Sequence, residues 1–77
     1  GYSDPKDEDP MYSEVVKFVI TAQKASTSLI QRKFGLGYNR AARIVDMMEQ
    51  KGVVGPANGS KPREVFIKAE VGNEKNN

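Results

Sequence analysis

Apolar residues recur at helical spacing through the first two thirds of the chain and then give way to a β-leaning pattern. Met11, Val15, Phe18, Val19 and Ala22 fall at i, i+4, i+7, i+8 and i+11, which places them on one stripe of an amphipathic helix. Asp9-Pro10 just ahead is a start signal, because the carboxylate can accept from free N–H groups and Pro is tolerated at the first helical position. This first helix is expected to run to about Gln23. After a link at Lys24 and Ala25, Ser26 is a good N-cap for a second helix ending near Phe34. Thr27, Ile30 and Phe34 share its inner face, and Arg32 and Lys33 lie away from it. Gly35-Leu36-Gly37 suits a tight corner in which Gly takes positive φ and Leu36 plugs the core. From Tyr38 a third helix turns Ala41, Ile44, Val45 and Met48 inward and Asn39, Arg40, Arg43, Met47 and Gln50 outward. Gly52, after Lys51, stops it.

Val53-Val54 and the run Arg63 to Lys68, with Val65 and Ile67 on one face, predict two paired strands joined by a long tip from Gly55 to Pro62. A short third strand is expected near Lys24 to Ser26. The order helix, helix, turn, helix, hairpin predicts an α+β, mainly α fold, a winged helix-turn-helix of three helices with a two- to three-stranded wing. Its expected extent is residues 9–68, with a disordered tail or linker at 1–8 and a flexible tail at 69–77, where hydrophobic periodicity is lacking.

At 77 residues there is room for one small core. The first residue is Gly rather than Met, which suggests a piece of a longer protein. No apolar run approaches the ~18 residues of a membrane span, and a cytosolic setting is expected. With no Cys and no His, disulfides, thiolate chemistry, most zinc sites and the commonest proton-transfer group are absent, which argues against an enzyme and against a bound cofactor or metal.

The net charge of +2 hides a strong polarity. Residues 1–16 carry −4, residues 17–43 carry +6 with no acid at all, and residues 44–77 balance to zero. A basic block without counter-charge is what a surface facing phosphates needs, although a solvated basic face has the same composition. Within it, Asn39, Arg40 and Arg43 stand at the start of the third helix. That is where a recognition helix meets base edges in the major groove. Arg can fork onto guanine O6 and N7, and Asn onto adenine N6 and N7. The Ala41-Ala42 pair beside them would allow close approach to a groove. Tyr38 could stack on a sugar, donate to a phosphate, or instead cover the core at the turn.

The string Gly37-Tyr38-Asn39-Arg40-Ala41-Ala42-Arg43 resembles the gamma domain of the FtsK/SpoIIIE family of bacterial DNA translocases. Ala25-Ser26, Gln31-Arg32, Phe34, Met48-Glu49 and Gly59-Ser60-Lys61-Pro62-Arg63-Glu64-Val65 extend the likeness over about Asp9 to Lys68. The resemblance implies a double-stranded DNA reader tethered to a hexameric ATPase motor, recognising short, skewed, often G-rich motifs that orient the motor during chromosome segregation. It implies base reading by Asn39, Arg40 and Arg43, with Arg32, Lys33, Tyr38, Lys61 and Arg63 against the DNA backbone. It further implies a cytoplasmic domain at the C-terminus of a membrane-anchored parent, and a Xer-type recombinase as a second partner. The isolated domain is expected to be monomeric, with several copies able to share one DNA site. Thr27 departs from the family's usual aliphatic residue, and Gly35 from its usual basic one.

Two other motifs fail on reading. Gly55 to Lys61 misses the P-loop spacing, and Asp46 and Glu49 have no metal ligand or His beside them to make a catalytic pair. The rival functional class is a winged helix that chiefly binds protein, which would more often present aromatic or aliphatic anchors where Asn39, Arg40 and Arg43 stand.

Overall fold

A computed structural model describes residues 8–69. It contains three helices, α1 (Tyr12–Ala22), α2 (Thr27–Phe34) and α3 (Tyr38–Gln50), with α3 packed against both of the others. The expected tails at 1–8 and 69–77 lie largely outside the described residues; of them, Glu8 and Ala69 are described.

The local signals at the helix ends are used much as their chemistry suggests. Asp9 Oδ1 accepts from the Met11 backbone N–H at 2.8 Å and its carbonyl accepts from Tyr12 N at 2.8 Å. The Asp-Pro pair therefore forms a turn, and α1 begins at Tyr12, two residues later than Pro10. Gln23 closes α1 in the left-handed region at φ 58°. Its side-chain amide donates to Ile20 O and Ile67 O at 2.7 and 2.8 Å, which ties the end of α1 to the C-terminal segment. Ser26 Oγ caps α2 by accepting from Leu29 N at 3.0 Å. Gly35 at φ +68° ends α2, with its N–H on Gln31 O at 2.8 Å. Gly52 at φ +79° follows α3, and Val53 N reaches back to Met48 O.

The core is formed by Val15, Val19, Ile30, Ala41, Ile44, Val45 and Met48, with Val54 and Val65 closing it from the segment after α3. Phe18 and Phe34 meet edge to face at 5.7 Å and, with Leu36, pack against it. Tyr12, which the predicted stripe omits, is also buried, and its hydroxyl has no partner among the described residues.

After α3 the chain makes isolated antiparallel bridges rather than continuous strands. Val54 pairs with Val65, Ala25 with Arg63 and Asn58 with Lys61. The expected third strand near Lys24 to Ser26 is reduced to the Ala25 bridge, in which Arg63 N donates to Ala25 O at 2.6 Å. Pro56 and Pro62 have no N–H to give a ladder, so pairing stays local.

Two predicted positions are corrected. Met47 is only 4% exposed, so it belongs to the core and not to the outer face of α3. The sequence reading groups it with the outward residues, but Met47 stands three positions after inward-facing Ile44, and the packing of α3 against its neighbours widens the apolar stripe to include it. Ile67 is 42% exposed although Val65 is buried. Strand alternation would bury both, but pairing ends where Phe66 N donates to Val53 O, and Ile67 lies in a bend beyond it. Phe66, exposed as well, lays its ring over Gly55, where an added Cβ would come within 3.0 Å of it.

Candidate nucleic-acid interface

Burial of Met47 sets the rotation of α3 and thereby its outer stripe. Asn39, Arg43, Asp46 and Gln50 are all exposed and recur at i, i+4, i+7 and i+11, so they form one solvent-facing row. By sequence Asp46 is only one of two carboxylates that make no catalytic pair; in the fold it stands in this exposed row. The spacing from Asn39 and Arg43 was the available signal, and it becomes decisive only once Met47 is known to point inward.

Arg40 sits on the flank of this row. Its Nε donates to Asp9 Oδ2 at 2.8 Å and its Nη2 to Asp9 Oδ1 at 2.9 Å, so one edge of the guanidinium is engaged within the domain. The Arg40 contact is the main reason that the Asp9 carboxyl is held below its ordinary value. Burial opposes the shift, and the Met11 N–H and the nearby charge of Arg43 support it. The sequence marks Asp9 as a helix starter, not as the partner of Arg40, because that contact spans 31 positions of chain.

The remaining cations divide into free and occupied. Arg32 and Lys61 are exposed and make no ion pair among the described residues. Lys33 lies 5.5 Å above the Phe18 ring, a cation–π contact that leaves its ammonium facing solvent. Arg63 is pulled inward, with Nη1 on Glu49 Oε1 at 3.0 Å and near Gly55 O. Its side chain is 19% exposed, so it serves first to tie the final segment to α3. Lys51, at the end of α3, pairs with Glu8 at 2.9 Å over the Tyr12 ring, and both groups hold its pKa above the ordinary lysine value.

Tyr38 is 62% exposed, which removes the core-covering alternative. It lines an open groove of about 390 Å³ with the start of α2, Gln31 and the tip residues Asn58 to Lys61. Arg63 also lines this groove. Tyr38, Lys61 and Arg63, distant in sequence, are thus brought together beside α3. Arg32 and Lys33 do not line it. Among the described residues no group of His, Cys, Asp or Glu could hold a metal ion, and no helix is long and apolar enough to cross a membrane.

Comparison with known proteins agrees with the sequence likeness. Residues 6–68 match the family described as the Ftsk gamma domain. The chain is similar to the DNA translocase FtsK of Lactiplantibacillus plantarum, 60% identical over 67 residues, which is 86% of this chain and 8% of that protein. It is 53% identical over 68 residues to DNA translocase FtsK of Staphylococcus epidermidis, covering 88% of this chain and 8% of that protein. With DNA translocase FtsK of Listeria monocytogenes it shares 54% over 66 residues, 86% of this chain and 9% of that protein. The chain therefore spans under a tenth of the length of the curated relatives it matches. The chain belongs to the FtsK gamma domain family.

Proposed function

We propose that this domain is a winged helix-turn-helix that binds double-stranded DNA sequence-specifically, with α3 in the major groove. In the parent translocase it reads short skewed motifs that orient a hexameric motor on DNA in the cytoplasm during chromosome segregation. The observation that carries this reading is the exposed row Asn39, Arg43, Asp46 and Gln50 on α3, flanked by cations and bordered by the Tyr38–Lys61 groove. Such a row offers a donor fork for guanine at Arg43, a donor–acceptor pair for adenine at Asn39, and at Asp46 an acceptor for the cytosine amine. Arg40 adds its unengaged edge. In this reading Lys61, Tyr38, Arg32 and Lys33 meet the phosphates and position the helix without reading sequence, as their exposure allows. Arg63 supports this surface from within.

The test is to select a preferred site from randomised duplexes, then compare it with a scrambled duplex for Arg43→Ala and Lys61→Ala, both checked for folding. Loss of a forked base contact at Arg43 should cost about 1–3 kcal/mol on the preferred site and less on the scrambled one. Lys61→Ala should weaken both alike and reduce the slope of log K against log salt by about 0.9. Equal losses on the two duplexes for Arg43→Ala would remove it as a base reader. A second reading, a docking surface for a Xer-type recombinase, is favoured by one observation. Exposed Ile67 forms a shallow surface with Ile20 of α1 and no residue of α3, so a protein partner could bind there without displacing DNA.

A further inference from the structure

Asp9 grips Arg40 from one side only. Its carboxylate takes Nε and Nη2, and the same Oδ1 accepts the Met11 N–H, so the gripping group is itself anchored to the main chain that leads into α1. A guanidinium carries five N–H donors in a rigid plane. The Asp9 contact uses one on Nε and one on Nη2. Both hydrogens of Nη1 and the second of Nη2 remain, and among the described residues no hydrogen bond occupies them. Two of these three, the outward hydrogens of Nη1 and Nη2, make a second fork at the outer end of a side chain that is 47% exposed.

We infer that Asp9 is a positioning residue for DNA binding, holding the inner edge of Arg40 so that its outer edge is ready for a pair of acceptors on the duplex. The inference rests on the DNA-binding reading above. A free arginine must give up most of its rotamers to make a two-point contact, whereas one already held by an anchored carboxylate gives up few. Two phosphate oxygens or the O6 and N7 of guanine both suit the outer fork. The opposite possibility is that Asp9 masks Arg40 and competes with the duplex for it. The two differ in the sign of one measurable coupling. With Asp9 as support, Arg40 contributes less to binding when Asp9 is removed, and with Asp9 as mask it contributes more.

A double-mutant cycle on this domain measures that sign, using Arg40→Ala, Asp9→Asn and their combination on preferred and scrambled duplexes. Asp9→Asn keeps a side-chain oxygen for the Met11 N–H, and circular dichroism checks that each variant is folded. The general effect of deleting a negative charge near DNA appears equally in both backgrounds and cancels. Arg40→Ala should weaken binding about tenfold with Asp9 present and no more than about twofold in the Asp9→Asn background. A loss confined to the preferred duplex identifies guanine as the acceptor, and equal losses identify phosphate. An Arg40→Ala loss as large or larger in the Asp9→Asn background would overturn the inference. A second readout needs no variant, because the Arg40 Nε–H resonance should stay protected from exchange when DNA is added. Its loss on binding would mean that Asp9 is displaced, which also overturns it. Should the wild-type domain bind no duplex even at low salt, the DNA-binding reading itself falls. Intact binding without coupling removes only the role given to Asp9.

Discussion

Met47→Ala tests the rotation of α3 on which the proposed interface depends. If Met47 faced solvent, truncating it would change stability by no more than about 0.5 kcal/mol. At 4% exposure it is instead a core side chain, and Met→Ala in a core costs about 2–5 kcal/mol through lost burial and a residual cavity. Its place at the margin of the cluster lets neighbours relax, so about 2–3 kcal/mol is expected. A domain of this size holds only about 3–9 kcal/mol in total. Each kcal/mol shifts its midpoint by about 4–8 °C, so Tm should fall by about 8–24 °C. Thermal and urea unfolding followed by circular dichroism would measure this, with Met47→Leu retaining most of the stability. Asp46→Ala, one position earlier on the exposed row, should stay within about 0.5 kcal/mol. A neutral Met47→Ala beside a destabilising Asp46→Ala would refute the rotation and the row built on it.

Asp9 supplies a pH dependence with a definite sign. Its folded pKa lies below the ordinary 3.8, chiefly through Arg40, so the stability it adds is fully present above that value and is lost as pH falls through the folded value. Acid unfolding curves of wild type and Asp9→Asn should therefore converge at low pH, and a constant offset down to the acid limit would contradict this. Tyr12 acts at the other extreme. Burial raises its pKa above 10.0, so stability is intact below pH 10 and declines as pH rises through the folded value, a loss that Tyr12→Phe should lessen in alkaline denaturation. Gly35→Ala meets no atom within 4 Å, so only the φ of +68° penalises it, by about 1 kcal/mol in urea unfolding. Gly37→Ala, at φ −72° and equally uncrowded, loses a better N-cap residue but stiffens the unfolded chain by a similar amount, so it should stay within about 0.5 kcal/mol in the same assay.

Three helices, the Ser26 cap of α2 and most of the core were legible in the sequence because each depends on contacts within about four positions. Ser26 caps α2 through a residue three positions on, and Ile30, Ala41, Ile44, Val45 and Met48 declare themselves by a 3.6-residue period. The six-charge basic block and the Gly37 to Arg43 string were equally visible, and the string, with the motifs around it, carried the family likeness. What the sequence left open depends on contacts between distant segments. Periodicity fixes which residues share a helix face, yet it leaves the margins of that face to whatever packs there. Tertiary packing put Met47 inside, whereas Asp46 shares a row with Asn39 and Arg43 by helix spacing, and packing decided only that this row faces outward. The cations show the same division. All of them are equivalent in composition, but Arg40 finds Asp9 and Arg63 finds Glu49 across 31 and 14 positions, while Arg32 and Lys61 make no such pair among the described residues. An ion pair forms wherever the folded backbone brings two charged ends within about 4 Å, a distance that no local pattern encodes.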